Sequence, residues 1–365
     1  MMSGKEKLFE LIDKGRMGKN IGLPIGLPKM ENCMDGFLPG TSYLIAAQSG
    51  VGKSTMMLYS FIYQPLKAYM NDPLYANRDP YWIFFSLEMT QPQIYAKLLS
   101  MYIFEHYGEE ISYKELFSRG RDTHLSDERY ELVKQANDFL DILDKRIIFH
   151  EGTLNAEKYE KFVLQDLERF GKFTSDGSYN KYNSEQIVAV LIDHMSLIRA
   201  STGRSKKDEM DLISSKSVTM RNRYDISPIH VMQFNRNANN AERLRQGQQE
   251  PDMSDFKDSA AMYEDSQVVF ALHAPIKFKL SSYRGYNIKE IGHNFLACIL
   301  LKSRFGTSDI MDAVNFFGSV GIFKELPKPD EIADYTRYKT PYWCLEDADL
   351  EIPETKSNNN IKITL

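Results

Sequence analysis

Apolar and polar positions fall in blocks along this chain. Continuously apolar runs at residues 43–47, 81–86, 146–149, 187–192, 229–233, 268–272, 296–301 and 313–317 predict strands. Helical periodicity at residues 91–106, 126–143, 156–170 and 205–223 fills many of the gaps. In Val188-Ala189-Val190-Leu191-Ile192 nothing polar intervenes, which suits a strand covered on both faces. The alternation predicts an α/β fold, a mostly parallel central sheet flanked by helices. Ligands of such sheets bind beyond the carboxyl ends of the strands.

The margins read differently. Over residues 3–15, Leu8, Leu11 and Ile12 share one helical face, opposite Lys5, Glu6, Glu10 and Lys14. A helix this short needs a surface to dock on, in its own core or on a neighbour. Glycine and proline between residues 15 and 28 predict an irregular lead-in. Polar stretches at 70–80, 171–186 and 276–294 read as surface excursions. The expected organisation is a docking helix over 1–20, one α/β domain over 21–345 and a mobile tail over 346–365.

Composition changes this picture little. With 365 residues, 42% of them hydrophobic and 26% charged, a sizeable core is available to one large domain or two. A net charge of −5 argues against a surface that binds nucleic acid everywhere. Residues 199–245 are locally basic, either a solvated helix face or a nucleic-acid track. Cys33, Cys298 and Cys344 have neither metal-ligand nor disulfide spacing. No apolar run is long enough to span a membrane, and the first residues carry no apolar signal core, so a cytoplasmic location is expected.

The chemistry starts at the first strand. It enters Ala47-Gln48-Ser49-Gly50-Val51-Gly52-Lys53-Ser54-Thr55 and opens into a helical pattern. This is the form of a phosphate-binding P-loop, with Ala47 where the pattern usually has glycine. Backbone amides from Ser49 through Gly50, Val51 and Gly52 to Thr55 would line a nest for phosphate oxygens, at the positive end of the helix. Lys53 would reach the outer phosphates, and the Ser54 hydroxyl would ligate Mg²⁺ beside ATP. Asp193 ends the 187–192 strand and fits the second Mg²⁺-holding role. Glu88, just past the second strand, can polarise an attacking water. Gln233 ends a strand where it could sense the γ-phosphate. Lys302 and Arg304, two apart on a strand, should point together as a pair of cations. They fall too far around the sheet to serve their own P-loop, which implies delivery from a neighbouring subunit.

Together these motifs resemble the ATPase domain of replicative hexameric DNA helicases of the DnaB type, including the helicase half of bacteriophage primase–helicases. The resemblance covers roughly residues 20–325. Its carriers are Phe85-Ser86-Leu87-Glu88-Met89, Leu191-Ile192-Asp193-His194-Met195, Gln233-Phe234-Asn235-Arg236 and Lys302-Ser303-Arg304-Phe305-Gly306, in the family's order after the P-loop. It implies a RecA-like P-loop NTPase core, catalytic roles for Lys53, Glu88, Gln233, Lys302 and Arg304, and an aromatic against the nucleotide base at Phe317. It also implies a DNA-binding loop with Lys257, Ser259 and Ala260, where the family usually has Arg for Lys257 and Gly for Ala260. Arg243 and Arg245 would add phosphate contacts. The implied protein is a homo-oligomer, a hexamer, that moves 5′ to 3′ on single-stranded DNA, with a primase, polymerase or loader as candidate partners. A RecA-like recombinase and a non-translocating, loader-type ATPase are the competing readings. The form suits a phage protein, which would place it in the bacterial host cytoplasm.

Overall fold

The computed structural model describes residues 3–234 and 249–346. Arg243, Arg245 and the expected tail beyond residue 346 lie outside them. A nine-stranded sheet organises the chain. Its strands are β1 (Tyr43–Ala47), β2 (Pro80–Ser86), β3 (Ile147–Glu151), β6 (Ile187–Asp193), β7 (Ser227–Gln233), β8 (Val268–His273), β11 (Phe295–Ser303), β12 (Ile310–Phe317) and β13 (Ile322–Glu325). Two hairpins stand apart, β4 (Gly171–Phe173) with β5 (Tyr179–Lys181) and β9 (Ser282–Tyr283) with β10 (Tyr286–Asn287). The sheet order is β13-β12-β11-β8-β1-β7-β6-β2-β3. The six strands from β8 to β3 run parallel, and β11, β12 and β13 continue the sheet antiparallel.

Burial explains the parallel part. Every residue of β1 and β6 is buried, because helices cover both faces. The longer helices are α5 (Gln91–Tyr107), α9 (Ala156–Leu167) and α10 (Lys206–Tyr224). The periodic stretch 126–143 is two helices, α7 (Asp127–Gln135) and α8 (Asn137–Arg146), with the break at Ala136. After the P-loop, α3 (Lys53–Leu58) passes through a π-helical turn (Tyr59–Tyr63) into α4 (Gln64–Asn71).

The lead-in is not loose. Leu23, Ile25 and Leu27 are fully buried, and Leu23 pairs with Phe37. A Cβ on Gly22 would stand 2.2 Å from the Asp35 carbonyl oxygen, so only glycine allows this approach. The first helix, α1 (Gly4–Arg16), is capped by Ser3 and Glu6 in a capping box. It is tied to the body by Lys14 to Glu185 at 2.8 Å. Its apolar residues are left uncovered by the described residues: Leu8, Phe9 and Leu11 are each more than half exposed. Among the described residues no helix is long and apolar enough to cross a membrane.

Candidate active site

The carboxyl ends of β1, β7, β6 and β2 bring the P-loop, Gln233, Asp193 and Glu88 to one end of the sheet. Ala47 is still within β1, paired with Gln233 and Leu272, and its φ is not positive. A methyl group is therefore tolerated where the P-loop pattern begins. The two glycines that follow are needed: Gly50 has φ 68° and Gly52 φ 97°. A Cβ on Gly52 would also come within 2.9 Å of the Phe316 ring. Lys53 opens α3 and is only 8% exposed.

Across the sheet, the Ser54 hydroxyl donates to Asp193 Oδ1 at 2.9 Å. Asp193 is fully buried, and its Oδ2 has no hydrogen-bond partner among the described residues. Burial pushes its pKa up to about 6, and the Glu88 charge adds to the rise, while the Ser54 hydrogen bond, Lys53 and Lys97 oppose it. A buried carboxylate oxygen with nothing to bind, beside a serine hydroxyl, is a hard-oxygen pair that fits Mg²⁺.

Glu88 reaches the same place because the Leu87 amide donates to the Asp193 carbonyl at 2.9 Å. Its side chain is half exposed, 3.5 Å from His194 Nε2. Burial and then Lys53 lower the His194 pKa, and the Glu88 charge opposes them. Gln233 is exposed at the end of β7, between the P-loop strand and the Asp193 strand.

Lys302 and Arg304 lie at the opposite end. β11 runs antiparallel to β8 and pairs Lys302 with Val269 and Ser303 with Val268, and Val268 pairs in turn with Tyr43 at the start of β1. The register shifts between Leu300 and Lys302, and the strand ends at Ser303, so Arg304 lies beyond it. The two charges are neighbours all the same. Burial and then Arg304 lower the pKa of Lys302, and the same two causes in the same order lower that of Arg221 on α10. Lys302 Nζ donates to the carbonyls of Tyr263 and Glu264 at 2.9 and 2.7 Å, and Arg304 is exposed.

Two further placements differ from the sequence reading. Phe317 is 4% exposed, a core residue. Phe316 is the aromatic against the P-loop, stacked on Phe323 with centroids 4.4 Å apart. Lys257 and Ser259 lie on a 3-10 helix (Met253–Ser259), and Ala260 follows with φ −54°. That ordinary helical φ explains how alanine replaces glycine there. Nothing at the sequence level singled out Lys97. It sits on α5, its pKa lowered by burial and held up by Asp193 and Glu88. A lysine among Ile94, Ala96, Leu98 and Leu99, nine positions after Glu88, is the signal that could have found it.

This arrangement defines a P-loop nucleotide site on a mostly parallel α/β sheet. The chain belongs to the DnaB-like helicase C-terminal domain family, whose match spans residues 22–325. It is similar to the replicative DNA helicase DnaB of Helicobacter pylori (strain ATCC 700392 / 26695), 25% identical over 267 residues, which cover 73% of this chain and 44% of that protein. The corresponding helicase of Mycoplasma genitalium is 24% identical over 272 residues, 74% of this chain and 50% of that protein. The chain thus spans about half the length of the curated relatives it matches. Among solved structures it resembles "ATPase Domain of G40P", with a TM-score of 0.67 at 18% identity over 90% of this chain and 100% of that one. It also resembles "The Structure Of A DnaB-Like Replicative Helicase And Its Interactions With Primase", with a TM-score of 0.66 at 18% identity over 89% and 69%. The likeness establishes the RecA-like fold class.

Proposed function

We propose that this chain is the ATP-hydrolysing motor of a replicative DNA helicase, acting as a ring of copies on single-stranded DNA. The observation that carries the reading is the placement of two half-sites at opposite ends of one sheet. Ser54, Asp193, Lys53 and Glu88 converge at one end, and Lys302 and Arg304 stand at the other. A chain built so cannot complete its own site, and a neighbour can.

In this reading the loop from Ser49 to Thr55 cradles the phosphates of ATP, and Lys53 reaches the outer two. Ser54 and Asp193 would hold Mg²⁺, which when bound neutralises charge on the β- and γ-oxygens. Glu88 orients the attacking water and accepts its proton. Gln233 senses the γ-phosphate from the end of β7. Lys302 and Arg304 of the adjacent subunit stabilise charge in the transition state. Phe316, not Phe317, is the aromatic placed to meet the nucleotide. The apolar face of α1 docks on the next subunit. The 253–260 segment, with Lys257, Ser259 and Ala260, holds DNA phosphates without reading bases. Six subunits, 5′ to 3′ travel, and docking to a primase, polymerase or loader complete the reading.

The test mixes two inactive variants. Arg304→Ala and Glu88→Gln should each lack turnover, and a mixture should regain part of it, because some interfaces then pair an intact Glu88 with an intact Arg304. Full turnover by Arg304→Ala alone would refute the shared site. A fork-unwinding assay with either overhang separates a helicase from a filament-forming recombinase, which would leave the fork intact.

A further inference from the structure

Lys53 is not the only lysine on the P-loop. β8 lies beside β1 with Leu272 opposite Ala47, so the chain leaving β8 passes next to the chain leaving β1. There it makes a single 3-10 turn (Pro275–Phe278), closed by Lys277 N to the Ala274 carbonyl at 3.1 Å and Lys279 N to the Ile276 carbonyl at 2.9 Å. The Phe278 ring packs on the buried His273 ring, with centroids 5.2 Å apart, which fixes the turn to the sheet. From this mount Lys277 Nζ donates to the Ser49 carbonyl at 2.6 Å. A Cβ on Gly50 would stand 3.4 Å from the same ammonium, so Nζ lies over the apex of the loop.

Charge around Lys277 is uncompensated. Burial and the charge of Lys53 are the influences on its pKa, both lowering it, and no carboxylate among the described residues pairs with it. Two ammonium groups, Lys53 and Lys277, thus act on one loop, and the carboxylates of Asp193 and Glu88 lie on the Lys53 side. Only one of the three Lys277 N–H donors is used on Ser49.

We propose that Lys277 is a second lysine of the nucleotide site, a positioning residue that braces the P-loop apex from outside and adds its charge to the field drawing in a nucleoside di- or triphosphate. This rests on the reading of residues 47–54 as the nucleotide site. The apex amides of a P-loop serve the inner phosphates, whereas its own lysine serves the outer ones. Lys277 therefore acts on what ATP and ADP have in common, and its loss shows more in KM than in kcat.

The experiment titrates full-length protein with mant-ADP and, in parallel, measures ATP turnover for Lys277→Met, Lys277→Gln and Lys277→Arg. Lys277→Met should weaken mant-ADP binding roughly five- to tenfold, the effect of one partly screened charge near a phosphate. KM for ATP should rise by the same factor, and kcat should fall less. Lys277→Arg should bind within about twofold of the unaltered chain, and Lys277→Gln should bind like Lys277→Met, because it keeps a donor but no charge. The affinity of Lys277→Met should also fall less steeply with added salt. Lys289→Met, which removes a surface charge elsewhere, controls for net charge. Unaltered mant-ADP affinity in Lys277→Met, or restored affinity in Lys277→Gln, overturns the proposal. Lys53→Ala separates the two readings: if it binds mant-ADP normally, the P-loop assignment itself has failed, whatever Lys277 does.

Discussion

The two ends of the sheet are built on opposite principles. At the P-loop end, charge is buried: Lys53 and Asp193 are 8% and 0% exposed, and Ser54 fixes one of the two carboxylate oxygens at 2.9 Å. At the other end, Arg304 crowds both Lys302 and Arg221 and stands in solvent, while Asp265 eases both and Glu264 also eases Lys302. A surface that grips a ligand has to be organised within one chain, since reorganisation at the moment of reaction would cost rate. A surface that reaches into another subunit can remain electrostatically incomplete until that subunit brings its anion.

The sharpest way to break this comparison is to remove the reaching end. Arg304→Ala should keep nucleotide affinity within a few-fold yet lose roughly a thousandfold or more in turnover, read by mant-ADP titration and phosphate release. Equal losses in binding and turnover would place Arg304 in its own chain's site. Next in size are the two adjacent phenylalanines. Phe317→Ala should cost about 3–5 kcal/mol in chemical denaturation, as expected for a buried ring. Phe316→Ala should cost about 1–2 kcal/mol and weaken nucleotide binding instead.

The gripping end predicts a trade of stability for function. Asp193 has a folded pKa of about 6 against an unfolded value of 3.8. The folded state therefore holds the proton more tightly, and its advantage is fully present below about pH 4 and lost as pH rises through 6. Without nucleotide, Asp193→Asn should be up to about 3 kcal/mol more stable than the unaltered chain at pH 7, should lack this pH dependence, and should fail to hydrolyse ATP. Melting curves between pH 4.5 and 7 check the sign, and a less stable Asp193→Asn would contradict it. The smallest effect on the fold concerns α1. Leu8→Ser with Leu11→Ser should change the melting temperature little and shift light-scattering mass toward the monomer. Unchanged assembly would remove α1 from the subunit interface.

Much of this was legible in the residues. β1 and residues 187–192 of β6 are apolar without interruption, and the parallel sheet brings the P-loop after β1 and Asp193 at the end of β6 to one rim, where Ser54 on α3 meets Asp193. What escaped did so for physical reasons. Phe316 and Phe317 are adjacent, so a reading that is off by one position chooses the wrong face of the strand. β13 has four residues, two of them charged, and its pairing with β12 decides it rather than its pattern. The lead-in's glycines and prolines concealed Leu23, Ile25 and Leu27, whose burial depends on the distant Phe37. Lys277 lies in a stretch that composition marks as surface excursion. Only the adjacency of β8 to β1 shows what that surface faces.

A single sheet with the P-loop at one rim and the Lys302/Arg304 pair at the other would, in the proposed ring, also be a lever. Its six parallel strands leave little give between the rims, so tilting a subunit to close one interface must shift the other in the opposite sense. In the proposed ring, news of a hydrolysis event would travel in one rotational direction without a dedicated relay of side chains. A subunit with no chemistry of its own would then slow both of its neighbours, and activity in doped rings would fall faster than the fraction of dead chains.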